Sequence, residues 1–208
     1  INRVAQLMQR SGMQSKMRKR FVVTTNSRQT THPAPDLLQR NFSANKPDQT
    51  WVSDTTFIRT RQGWLYLATM IDLYARAVIG WSMSMSNDAQ LVQDALTMAI
   101  WRRGRVRHVI VHSDQGSTYA SGSYQLLLKE HGLLCSMSRK GECLDNAVAE
   151  RFFGTLKTEW VDDQDYLTHE QARQDLFQYI EVFYNRKRRH SHLGYLSPAE
   201  YERKHASH

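Results

Sequence analysis

The chain has 208 residues, 40% of them apolar, and its 28 Lys and Arg outnumber 20 Asp and Glu for a formal net charge of +8. That length suffices for one well-buried core with flanking segments. No apolar run approaches the roughly 18 residues of a membrane span, and the two cysteines, Cys135 and Cys143, form no CxxC pair that would signal a disulfide framework or a cysteine zinc site. Such cysteine usage fits a reducing cytoplasm. The chain starts at Ile1 with no charged and apolar leader behind it, and so reads as a fragment or processed chain.

The charge is uneven, since residues 1–50 hold nine basic against two acidic residues while the other 158 are balanced to within one charge. A basic arm ahead of a balanced domain suits either a nucleic-acid clamp or a solubilising tail. Within it, Arg3 to Arg10 reads as a short helix with Val4, Leu7 and Met8 on one stripe, ended by Gly12 as a left-handed C-cap. Residues 1–22 form a basic helical segment, readable as the remnant of a helix-turn-helix DNA-binding domain. Residues 23–48, with Pro33, Pro35 and Pro47, read as linker, and folded structure is expected to resume near Gln49.

Trp51 to Ile58, Trp64 to Ile71 and Arg76 to Met83 are β-rich runs at hairpin spacing, which predicts three antiparallel strands. Asn87 or Asp88 caps a helix whose apolar residues Leu91, Val92, Ala95, Leu96, Ala99 and Ile100 recur at helical spacing, stopping before Gly104. The run His108 to His112 is short and continuously apolar, as in a parallel strand covered on both faces. A helix over Tyr124 to His131, a short strand over Leu133 to Met137 and a polar loop over Ser138 to Leu144 follow. A longer helix begins near Asp145, with Asp145-Asn146 as its N-cap region and Phe152, Leu156 and Trp160 on one stripe. Thr168 and Gln171 form a capping-box pattern for a helix continuing past Phe183, and Ser197-Pro198-Ala-Glu200 starts a last one. The main domain is expected over 49–165, with a helical extension over 166–208.

Three acids stand in three distinct settings. Asp54 lies in Trp51-Val-Ser-Asp-Thr-Thr-Phe-Ile58, Asp114 in His112-Ser-Asp-Gln-Gly116, and Glu150 in Asp145-Asn-Ala-Val-Ala-Glu-Arg-Phe-Phe153. Asp114 follows a predicted strand at its C-terminal end, where open α/β sheets bind ligands. Glu150 is about 200° round the helix from Phe152, and Lys157 within about 20° of Glu150, so an acid and a base share the outer face two turns apart. Hard oxygen ligands of this kind suit magnesium, and two such ions roughly 3.5 to 4 Å apart can activate an attacking oxygen and stabilise a leaving one. Taken alone, Asp54 also suits an edge-strand ion pair with Arg59 or Arg76, and Asp114 a turn. Asp72, in Asp72-Leu-Tyr-Ala-Arg76, reads as a turn with an internal ion pair, and His112 as a hydrogen-bonded structural histidine. Trp51, Trp64, Trp81, Phe152 and Trp160 read as core packing. Arg139 and Lys140 are solvated charges or phosphate contacts, and Arg186-Lys187-Arg188-Arg189 is a charged surface or a DNA-backbone contact.

These residues resemble the DDE transposases of the retroviral-integrase-like superfamily, specifically the catalytic subunit encoded by the second reading frame of many bacterial insertion sequences. The motifs are those around the three acids together with Tyr66-Leu-Ala-Thr-Met-Ile-Asp-Leu-Tyr-Ala-Arg76, His112-Ser-Asp-Gln-Gly-Ser-Thr-Tyr119, Ser136-Met-Ser-Arg-Lys-Gly141 and Tyr184-Asn-Arg, and they cover nearly the whole chain. Two departures are Glu142-Cys-Leu-Asp-Asn146, where the family often has Asn-Cys-Trp-Asp-Asn, and Thr118, where it has glutamine or glutamate. The resemblance implies an α/β, ribonuclease-H-like fold of the retroviral integrase core type, a five-stranded mixed sheet flanked by helices, with the basic N-terminal arm and C-terminal helical extension added. It implies that Asp54, Asp114 and Glu150 hold two Mg²⁺ ions, with Mn²⁺ able to substitute, Asp54 bridging them. It further implies that Lys157 meets DNA at the transposon end, and that Arg139, Lys140 and the Arg186, Lys187, Arg188, Arg189 run contribute DNA contacts. The expected activity is 3′-end cleavage and strand transfer in the bacterial cytoplasm. Expected partners are transposon-end and target DNA, further copies of the chain on that DNA, and an upstream-frame DNA-binding protein or fused N-terminal segment. A non-catalytic DNA-binding relic or regulator, or a nuclease that hydrolyses without joining, would share much of this sequence.

Overall fold

The computed structural model describes residues 3–13, 34–104, 106–139 and 143–206. Lys16 to Arg20 of the basic arm, the first part of the expected linker, and Lys140 lie outside the described residues. The first helix, α1 (Arg3–Arg10), ends as its sequence predicts: Gly12 takes φ +66°, and the amides of Gly12 and Met13 donate to the carbonyls of Gln9 and Met8 at 3.2 and 2.8 Å. A left-handed glycine permits this paired closure.

Alternation of side chains then builds the sheet. Strands β1 (Thr50–Thr60), β2 (Gly63–Asp72) and β3 (Ala77–Ser84) form an antiparallel meander. Helix α2 (Ala89–Arg103), N-capped by Asp88, crosses to β4 (Ile110–Ser113), and α3 (Gly122–Glu130) leads to β5 (Leu134–Met137). The sheet order is β3-β2-β1-β4-β5, with β4 parallel to β1 and β5 parallel to β4. Helices α4 (Ala147–Leu156), α5 (His169–Phe177) and α6 (Pro198–His205) complete the chain. The strands run longer than the apolar stretches alone suggest because Thr50 and Thr60 continue the backbone ladder.

Each face of the sheet has its own core. On one, Trp51, Ala68, Met70 and Val111 cluster with Leu91, Ala95 and Leu96 of α2 and Tyr124 of α3. On the other, Val52, Leu67 and Ile71 cluster with Phe152, Phe153 and Leu156 of α4 and Leu176 of α5. Neighbours Trp51 and Val52 point to opposite cores, as a period of two requires. Gly80 lets α2 settle onto β3, since a Cβ there would lie 2.1 Å from the Ala95 carbonyl oxygen.

The structure corrects several expectations. Residues 34–48, read as linker, are fixed to the domain: Leu38 is 5% exposed within the second core, and Met137 N donates to Pro35 O at 3.4 Å. Trp64 is not core but 49% exposed, its ring edge-on to Phe57 at 4.9 Å. Helix α4 does not simply run on, because Lys157–Val161 widens into a π turn in which Asp162 N donates to Lys157 O at 2.8 Å. A second π turn, Gln178–Tyr184, extends α5. These wide turns gather Trp160, Tyr179 and Phe183 into one aromatic cluster with centroids 5.3 to 5.7 Å apart.

Candidate active site

The parallel ladder between β1 and β4 pairs Val52 with His112. Asp54 and Asp114 each stand two residues further along, so they come level where β4 ends, on strands separated by about 4.8 Å. Asp54 Oδ1 accepts from the Thr55 amide at 2.7 Å. Asp114 folds back over its own turn, its Oδ1 accepting from Gly116 N at 2.9 Å. A Cβ at Gly116 would stand 2.8 Å from that oxygen, so a larger residue there would push the Asp114 carboxylate from this position.

Glu150 arrives from the other side of β1, in the first turn of α4. Asn146 sits at the N-cap position but makes no capping bond; its Nδ2 donates instead to Ser53 O at 3.0 Å, pinning the helix start beside Asp54. Asp145, expected to share in capping, is wholly buried and receives Arg139 N and Nε at 3.1 Å each and Arg40 Nε at 2.6 Å. Those guanidinium bonds, Arg139's first, hold its carboxyl well below the usual carboxylate range. The helix is therefore posed by long-range bonds rather than by a local cap.

The charges of Asp114 and Glu150 both act on Asp54. The Asp54 carboxyl is pushed up to about 8, first by burial and then by the Asp114 charge; Glu150 adds to this, while the Thr55 amide and Lys157 oppose it. Burial also raises Asp114, against the Gly116 amide. Among the described residues, no three His, Cys, Asp or Glu side chains form a ready metal cage. Lys157 lies partly buried with its ammonium 4.8 Å from the Phe57 ring centre; burial lowers its pKa, and Asp162 and Asp54 oppose this. The expected outer-face partner of Glu150 thus folds in beside Asp54.

His112 is structural, as expected. It is fully buried, with Nδ1 2.8 Å from Ser136 Oγ and Nε2 3.0 Å from Asp145 O. Because a carbonyl only accepts, Nε2 carries the proton and Nδ1 accepts from the serine. Burial lowers its pKa. Asp72 does sit in a turn, accepting from Tyr74 N at 3.1 Å, but its ion pair is with Arg103 at 3.1 Å and not with Arg76. Arg76, at φ +57°, reaches Phe42 O and His192 Nε2 instead.

Of the basic residues, Arg139 is engaged with Asp145. Arg188 makes a two-pronged bond to Glu159 at 2.6 and 2.7 Å, whereas Arg186, Lys187 and Arg189 are exposed. Sequence reasoning missed Arg40, which no local pattern marks. It also gave no role to Asn185, whose amide exchanges two 2.9 Å bonds with the Val78 backbone.

The integrase core domain family matches residues 44–143, and a second integrase core domain family matches 131–198. Transposase InsF for insertion sequence IS3A of Escherichia coli (strain K12) is 47% identical over 204 residues, covering 98% of this chain and 71% of that protein. The chain belongs to the IS3-type transposases. A 31 kDa protein of insertion element IS600 from Shigella sonnei is 39% identical over 203 residues, covering 98% of this chain and 75% of its own. Two solved folds are similar. The HTLV-2 integrase catalytic core domain, in complex with magnesium in a dimeric form, has a TM-score of 0.54 at 16% identity over 74% of this chain and 95% of its own. The catalytic core domain of BIV integrase has a TM-score of 0.54 at 20% identity over 76% and 97%. The transposase thus has the five-stranded, ribonuclease-H-like core that its motifs imply. No helix among the described residues is long and apolar enough to cross a membrane.

Proposed function

We propose that this transposase cuts and joins DNA at Asp54, Asp114 and Glu150, which would hold two divalent metal ions, Mg²⁺ by preference and Mn²⁺ as a substitute. The observation behind this reading is the convergence of Asp54 and Asp114 at the end of the parallel β1–β4 ladder, with the charges of Asp114 and Glu150 both acting on the buried Asp54 carboxyl. Carboxylates crowded against one another suit a cation. Magnesium keeps much of its water and takes one or two carboxylates plus substrate phosphate, so a recess without a complete protein cage fits it. When bound, the ions would polarise the phosphodiester and favour deprotonation of the attacking oxygen.

The protein's own share is placement. Asp54, central on β1, would ligate both ions, with Asp114 and Glu150 completing one set each. Water first attacks phosphorus at the element's end, breaking the P–O3′ bond and leaving a 3′ hydroxyl. That hydroxyl then attacks a target phosphodiester, forming a new P–O3′ bond as the old one breaks. Lys157, beside Asp54, would contact the phosphate backbone at the transposon end. Arg186, Lys187 and Arg189 offer exposed charge for more distant phosphates, whereas Arg139 and Arg188 serve the protein's internal bonds first. Joining needs two element ends together, so the active form on cytoplasmic DNA is an oligomer of this chain, with end recognition aided by a fused N-terminal or upstream-frame segment.

Incubation of the protein with labelled linear DNA bearing its element's ends, in Mg²⁺, Mn²⁺ or chelator, tests this. Joined products that need metal are expected. Nicking alone would replace strand transfer with hydrolysis, and metal-independent products would overturn the metal assignment.

A further inference from the structure

Residues 36–40 form a short strap on the catalytic domain, and its conformation is costly. Gln39 and Arg40 are consecutive non-glycine residues with φ of +48° and +61°. Left-handed backbone at such residues is unfavourable and persists only where surroundings enforce it. Here Asp36 Oδ1 accepts from Leu38 N and Gln39 N at 3.0 and 2.9 Å, and Asn41 N donates to Leu38 O at 2.8 Å. Leu38 is buried in the same apolar cluster as Phe152 and Phe153 of α4. The twist thus delivers the Arg40 side chain to Asp145.

Two routes join the strap to that one residue. Through side chains, Arg40 Nε donates to Asp145 Oδ1 at 2.6 Å. Through the interior, Leu37 N donates to Ser136 Oγ at 2.9 Å, Ser136 meets His112 Nδ1 at 2.8 Å, and His112 Nε2 donates to Asp145 O at 3.0 Å. Asp145 stands five residues before Glu150, and its neighbour Asn146 is tied to Ser53, next to Asp54. With no capping bond at the start of α4, these ties set where its first turn lies.

We propose that Arg40 is a positioning residue for Glu150, acting through Asp145. The inference rests on Glu150 being a metal-binding carboxylate. Partners that orient metal ligands without touching the metal change affinity or activity about 10- to 100-fold when removed. In Arg40→Ala the Glu150 carboxylate loses part of its placement, whereas Arg40→Lys keeps a charge on Asp145 but loses the guanidinium's directed geometry.

The test is calorimetric titration of Mn²⁺ into the full chain, with cleavage followed across the same metal range. Arg40→Ala is expected to weaken Mn²⁺ binding about tenfold, to cleave slowly at low metal and to approach wild type at high metal. Arg40→Lys falls between them, and DNA affinity in chelator stays within about twofold. Wild-type Mn²⁺ affinity in Arg40→Ala would overturn the proposal, as would uniform loss of melting temperature, DNA binding and cleavage without a change in metal requirement. If Arg40→Ala does not fold, Arg40→Lys and Arg40→Gln are judged by the same titration. Glu150→Gln separates the two readings: if it binds Mn²⁺ and cleaves normally, the site assignment fails, whereas if it fails in both while Arg40→Ala matches wild type, only the role of Arg40 is lost.

Discussion

Asp54 and Asp145 are buried or half-buried aspartates on either side of the Ser53–Asn146 bond, yet their surroundings drive them in opposite directions. Asp145 is wholly buried but grips two arginines, which hold it ionised; Asp54 is pushed up to about 8 by burial first and then by Asp114 and Glu150, against which the Thr55 amide and Lys157 prevail only in part. A buried carboxylate with its cation built in does structural work. One whose neighbours are carboxylates is set for a cation that comes from outside.

The largest expected effect breaks the comparison at its functional end. Asp54→Asn, Asp114→Asn and Glu150→Gln each lower cleavage and joining on the order of 10³-fold or more, with DNA binding retained; a gel assay showing substantial activity in any of them removes that residue from the site. Next comes Asp145→Asn, which removes the carboxylate that both Arg40 and Arg139 bind. Because Arg40 and Arg139 side chains are 41% and 59% exposed, the loss should be about 2–3 kcal/mol, below that for a fully buried pair, read from denaturant midpoints at constant slope.

The pH dependence of stability sharpens the contrast. Asp54 binds its proton more tightly folded, at about 8, than at its ordinary value of 3.8. The metal-free fold therefore holds an extra proton between those values and loses stability as pH rises from about 4 to about 8. Asp145, held low, does the reverse: its contribution is complete above its ordinary value and fades as the solution becomes strongly acidic. Melting in chelator at pH 5 and pH 8 should show a downward step in wild type that shrinks in Asp54→Asn; equal steps in both proteins would refute it. At the small end, Arg188→Ala removes a pair with Glu159 whose members are 22% and 41% exposed. It should cost under about 1 kcal/mol in the same melts.

Much of this was legible in sequence because periodicity and motif are local signals. Alternation from Trp51 to Ile71 marks the strands, helical spacing from Leu91 to Ile100 marks α2, and Gly12 marks the end of α1. What escaped depends on distance along the chain. Asp72 was given Arg76, four residues away, but binds Arg103, 31 residues away, because the turn aims Arg76 at Phe42 and His192. The stretch around Leu38 looks like linker by its prolines and polar residues, and only its contacts with β5 and α4 reveal it as part of the domain. Lys157 and Glu150 share a face as their seven-residue spacing implies, but the contact of Lys157 with Phe57 and the π turn that starts at Lys157 have no sequence signature. The acids themselves were found by setting and resemblance; spacing alone left ion pairs and turns as equal readings.

Both rims of the sheet are partly occupied. At β3 the Asn185 amide occupies the Val78 backbone as a neighbouring strand would, and Arg173 Nη1 donates to Met83 O at 2.8 Å. At β5 the segment around Pro35 and Leu37 bonds Met137 and Ser136. Unpaired strand edges recruit other chains by backbone pairing, which risks fibrils and misassembly. Each rim bond of this kind leaves less free backbone for another chain to pair with.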